Sequence, residues 1–172
     1  VRLTMDSMLQ DSNEFVGDWY FNFNFNLNPT SIVDDLVFTE ISASGAAFAT
    51  SIDQSENAYK ANGEHYYDIL FNMITSNSSP TDDRFNGTDQ LVYDIQLKDD
   101  MGAFLALNEL DFDFFGVNGN DKGGPFTSAA HIQGLAIGEG STWIGGDGET
   151  SCTENCGGGP PNVLFPEPST LF

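Results

Sequence analysis

Trp19-Tyr20-Phe21-Asn22-Phe23-Asn24-Phe25-Asn26-Leu27-Asn28 alternates large apolar residues with polar ones. Side chains on an extended strand point to opposite faces with a period of two, so Trp19, Phe21, Phe23, Phe25 and Leu27 share one face. Tyr20 and the four asparagines share the other. The same alternation recurs in Gln90–Lys98, where Leu91, Tyr93, Ile95 and Leu97 lie together, and in Tyr67, Ile69, Phe71 and Met73. Shorter segments with strand character are Val1–Met8, Leu36–Ile41, Ala46–Ile52, Leu110–Phe115, Ala129–Ala136 and Thr142–Ile144. Asn28-Pro29, Asn62-Gly63, Ser79-Pro80, Asn86-Gly87, Asn118-Gly119 and Gly123-Gly124-Pro125 supply the turns between them. Met101–Glu109 is the one stretch that reads as a short helix. About nine short strands of this kind predict an all-β fold, an antiparallel β-sandwich of jelly-roll type.

The composition sets limits on partners. The chain has 172 residues, with 5 Lys and Arg against 26 Asp and Glu, for a net charge of −21. With 15 Phe, 5 Tyr and 2 Trp it can still build a core, so the charge belongs on the surface of a folded domain. Nucleic acid is excluded as a partner, because phosphate binding needs clustered Lys and Arg. Here Arg2, Lys60, Arg84, Lys98 and Lys122 are scattered. Anionic lipid surfaces are disfavoured for the same reason. No apolar run has the length of a membrane span, and no signal peptide opens the chain, so an exported form is expected to be a mature one.

From about Gly145 the composition changes. Gly145-Gly146-Asp147-Gly148 and Gly157-Gly158-Gly159-Pro160-Pro161 bracket Cys152 and Cys156. The expected division is a sandwich over residues 1–145 and an extended Gly/Pro-rich tail over 146–172. In an oxidising exterior, Cys152 and Cys156 are expected to close a small disulfide loop, because a zinc half-site would need two further soft ligands.

The tail ends Phe165-Pro166-Glu167-Pro168-Ser169-Thr170-Leu171-Phe172. Pro166-Glu167-Pro168 resembles the sorting motif of the PEP-CTERM family, exported proteins of Gram-negative bacteria that an exosortase recognises. In that family the motif precedes a membrane helix and a basic cluster. Further segments resemble the family in order along the chain: Phe15-Val16-Gly17-Asp18-Trp19-Tyr20-Phe21-Asn22, then Ala58-Tyr59-Lys60-Ala61-Asn62-Gly63-Glu64 with Tyr67-Asp68-Ile69-Leu70-Phe71. Gly124-Pro125-Phe126, Ala129-Ala130-His131-Ile132-Gln133-Gly134 and Gly140-Ser141-Thr142-Trp143-Ile144 continue the likeness. The resemblance implies an extracellular or cell-surface location linked to exopolysaccharide and biofilm matrix. It implies no defined chemical activity.

Among candidate sites, oxygen-rich clusters suit calcium, which takes six to eight oxygen ligands. Asp111, Asp113, Asn118, Asn120 and Asp121 form one, with Asp111 and Asp113 expected on one strand face and the turn folding back over them. Asn62, Glu64 and Asp68 form a second. Either cluster also reads as a solvated acidic edge. His131 and His65 are isolated in sequence and read as structural residues. No nucleophile–base arrangement is present in the sequence pattern, so no enzyme activity is expected.

The aromatic–asparagine ladder has three readings: a core strand with an amide outer face, a sugar-binding face, or a strand pairing across subunits. The expectation is a secreted structural protein of the cell surface or matrix, a filament subunit joined to other copies of itself by strand exchange. The alternative is a calcium-assisted module binding exopolysaccharide, for which Tyr20 or Trp143 should stand exposed beside polar side chains.

Overall fold

The computed structural model describes residues 1–9, 13–23, 36–44, 48–61, 65–76, 83–87, 89–99, 101–116, 126–135 and 140–146. The chain forms β1 (Arg2–Asp6), β2 (Phe15–Phe21), β3 (Leu36–Ser44), β4 (Ala49–Ala61) and β5 (His65–Met73). It continues through β6 (Gln90–Lys98), β7 (Phe104–Leu105), a 3-10 turn (Glu109–Phe112), β8 (Ser128–Leu135) and β9 (Gly140–Gly146). All strand pairings among the described residues are antiparallel.

Two sheets result. The smaller has the order β1-β6-β3, with the short β7 also paired to β6. The larger has the order β4-β5-β2-β8-β9. Among the described residues, chain neighbours pair only in β4–β5, β6–β7 and β8–β9; the other connections cross from one sheet to the other. That crossing pattern makes the sandwich jelly-roll-like.

Both sheets contribute to one core. Leu91, Tyr93, Ile95 and Leu97 of β6 are buried, as their alternation requires, together with Met5 and Leu36 from the neighbouring strands. Val16 and Trp19 of β2, Ile69, Phe71 and Met73 of β5, and Ala130 and Ile132 of β8 face them. Phe71 sits at the junction: its ring lies 5.7 Å from Phe21, 5.5 Å from Phe38 and 5.4 Å from Tyr93. Trp19 stacks on Phe21 at 5.8 Å and touches Phe85, which is completely buried.

β4 runs on to Ala61, past the Ile52 end that the sequence suggests, and three further segments differ from expectation for a local reason. β2 starts at Phe15 and ends at Phe21, although the alternation predicts a strand from Trp19 to Asn28; residues 24–28 lie outside the described residues. Asn22 turns inward to 2% exposure and donates to the Phe114 and Thr127 carbonyls at 2.9 and 3.4 Å, so it is not an outer-face amide.

Met101–Glu109 is not a helix. The Asp99 carboxylate accepts from the N–H groups of Met101 and Ala103, at 3.0 and 2.7 Å, and Gly102 takes φ +82. This Asp-led turn folds the chain back so that Phe104 and Leu105 pair with Lys98 and Leu97. Leu110–Phe115 is not a strand either. Asn108 caps a 3-10 turn, its side chain accepting from the Leu110 N–H at 3.0 Å. Asp111 completes the capping box by accepting from the Asn108 N–H at 2.7 Å.

Candidate functional site

The cross-strand register of the larger sheet places Asp18 and Tyr20 of β2, Leu70 and Asn72 of β5, Ala129 and His131 of β8, and Trp143 of β9 on the face away from the core. A second, smaller cluster forms around Tyr20. Tyr20, Ala61, Tyr67 and Ala129 are buried in it, with Tyr59, Leu70 and Trp143 packed around them. Tyr20 lies 5.8 Å from Tyr67 and 5.6 Å from Trp143. Burial, with the Asp18 charge second, pushes the Tyr20 hydroxyl up to about 12. Burial pushes the Tyr67 hydroxyl up as well.

Trp143 is half-buried. Its cross-strand partner is His131, and the two rings stack at 4.5 Å with an interplanar angle of 9°. The Nδ1 atom of His131 lies 3.3 Å from Asp18 Oδ2 and 3.2 Å from Gln133 Nε2. One nitrogen cannot serve both at once. Protonated, it donates to Asp18; bare, it accepts from Gln133. His131 is therefore a hydrogen-bonded residue of the sheet face. For His65, neither ring nitrogen has a hydrogen-bond partner among the described residues. Of the two aromatic residues singled out in the sequence, Tyr20 is buried at 7% exposure and only Trp143 reaches the surface.

The acidic candidates separate. Asp111 is 3% exposed and faces back onto its own turn, whereas Asp113 is exposed, so the two carboxylates do not share a strand face. The capping box accounts for this: it draws Asp111 onto the Asn108 N–H. Asn118, Asn120 and Asp121 lie outside the described residues.

Asp68 is 3% exposed, with Oδ2 accepting from the Phe23 N–H at 2.9 Å and Oδ1 from the Asn57 N–H at 2.7 Å. Asn57 has φ +49 and sits inside the register shift between Gln54 and Tyr59, so Asp68 fastens a bulge of β4 and the exit from β2. Asn62 and Glu64, expected beside it, lie outside the described residues, as do Cys152, Cys156, Pro166, Glu167 and Pro168. Among the described residues, no group of three His, Cys, Asp or Glu comes together to hold a metal ion.

Strand edges are the feature that single residue types do not reveal. An open edge presents unpaired N–H and C=O groups and invites another strand, so folded proteins blunt it with charge, bulges or shortness. β1 is five residues long and carries Arg2, which pairs with Asp94 at 2.8 Å, and Asp6. β3 carries Glu40 and a register shift between Glu40 and Ser42. β4 carries Asp53, Glu56 and Lys60 and is shifted twice.

β9 has none of these charges. Gly140-Ser141-Thr142-Trp143-Ile144-Gly145-Gly146 contains no charged residue and no proline. Its pairing with β8 is uninterrupted from Ser141 to Gly146. Among the described residues, no strand lies on its outer side. No family model, curated protein or solved structure matches this chain.

Proposed function

We propose that the chain is an exported structural protein of the cell surface or extracellular matrix, of PEP-CTERM type, whose work is to make contacts between copies of itself. The observation that carries this is the uncharged β9 edge, unpaired among the described residues, on a sandwich whose β1, β3 and β4 edges are all blunted. Exposed Met101, Phe104, Leu110 and Phe115 add apolar surface suited to protein contacts. The export assignment rests on the Pro166-Glu167-Pro168 motif and the ordered series of resembling segments, and it carries the Gram-negative surface location with it.

The charge of −21 gives association a direction with salt. Copies repel one another at low ionic strength, and screening shortens the range of that repulsion to about 8 Å at physiological salt. Calcium, which suits an acidic surface rich in oxygen donors, is expected to act in the same direction.

Sedimentation of the purified chain over a concentration series, at low and physiological salt and with and without calcium, tests the proposal. Oligomers should grow with concentration and be favoured by salt. A monomer at the highest concentration in every condition, with no assemblies by electron microscopy, would refute it.

A further inference from the structure

We infer that β9 is the self-association surface and that its occupant is β9 of a second copy, paired antiparallel about a two-fold axis. This deepens the self-association proposed above and rests on it. In a chain with 26 acidic residues, most approaches between two copies bring like charges together. Over Gly140–Gly146 each copy presents no ionisable side chain to the other. The stretch is bounded in sequence by Glu139 and Asp147, so its uncharged length matches the strand and nothing longer. An isologous contact needs a self-complementary element, and an uncharged antiparallel edge of one length meets that condition.

The register follows from the faces. A two-fold axis perpendicular to the sheet keeps Trp143 of both copies on the outer face and Ile144 of both on the core face. Residues directly opposite must then share a face. The alignment that uses the whole strand sets Gly140 opposite the second copy's Gly146. Ser141 then faces Gly145, Thr142 faces Ile144, and Trp143 faces its own counterpart. The two five-stranded sheets become one continuous sheet of ten strands. Trp143 meets Trp143 across the axis, each held on its far side by the stacked His131.

Neighbouring strands of this geometry bring opposite Cα atoms to about 4.5–5.5 Å, inside the range a disulfide bridges. In a Cys152→Ser, Cys156→Ser background, Trp143→Cys should form a disulfide dimer under mild oxidation. A mixture of Thr142→Cys protein with Ile144→Cys protein should give the mixed dimer, while each alone gives far less, because its own counterpart is displaced along the strand. This second pair leaves Trp143 in place and covers the case in which Trp143→Cys loosens the face. Thr4→Cys on β1 serves as the control and should not cross-link.

Dimers that still form by sedimentation but give no Trp143→Cys or Thr142–Ile144 cross-link would overturn this register while leaving self-association intact. A monomer throughout would end both. Cross-linking of Thr142→Cys to itself in preference to Ile144→Cys would overturn the alignment alone.

Discussion

Phe71→Ala is expected to lower the stability of the sandwich by about 4 kcal/mol. The Phe71 ring is completely buried on β5 and meets Phe21 from its own sheet and Phe38 and Tyr93 from the opposite one. Removing it therefore costs the transfer of a large apolar side chain and leaves a cavity between sheets, which strands on both sides would have to move together to fill. Phe71→Leu keeps most of the volume and should cost about half as much. Chemical denaturation measures both. A loss under about 1 kcal/mol for Phe71→Ala would mean the two sheets do not meet at this residue.

Asp68→Ala is expected to cost on the order of 3 kcal/mol, because it strips the acceptor from two backbone N–H groups, those of Phe23 and Asn57. Asp68→Asn should cost less but not nothing: its NH2 group would meet one of those N–H donors head-on.

The carboxyl also carries a pH signature. Burial raises it above the ordinary 3.8, opposed by the Asn57 and Phe23 N–H bonds and aided by the Glu56 charge. A carboxyl raised in the folded state binds its proton more tightly there than in the unfolded chain. Its contribution to stability is thus full below the unfolded value and is lost as pH rises through the raised folded value. The difference in unfolding free energy between wild type and Asp68→Asn should shrink with rising pH across that window and level off above it. A difference that grows with rising pH there would contradict the direction.

Much of the architecture is legible in residue spacing, because strands buried on one face must alternate. Gln90–Lys98 is a strand at those bounds, and the strands around Leu36, Tyr67, Ala129 and Thr142 fall where their apolar positions put them. Strand order is not legible, since β6 finds β1 and β3 across long stretches of chain that no local pattern encodes. Local polar chemistry overrode periodicity elsewhere. Leu110–Phe115 alternates as a strand should, but a capping box between Asn108 and Asp111 curls it into a 3-10 turn. Asp99, with two backbone bonds and a glycine, turns the start of Met101–Glu109 back on β6, so that Phe104 and Leu105 form β7 and not a helix.

The candidate sites were harder still. Asp68 stands out in sequence as an oxygen donor for a cation, yet its oxygens face the N–H groups of residues 45 and 11 positions away. Tyr20 stands out as a surface aromatic, and Trp143 and Tyr67 pack around it. The property of β9 that matters is a missing one, the lack of charge on an edge. It gains meaning only once the sheet order shows which strand is outermost and how the other edges are protected.

Amide hydrogen exchange of the wild-type protein, compared at low and high concentration in physiological salt, addresses the claim of self-association through β9 most directly. Exchange should slow with concentration across residues 140–146, while β1, β3 and β4 exchange at rates independent of concentration. Unchanged exchange over β9 at a concentration where larger species sediment, or protection appearing on β3 or β4 instead, would contradict it.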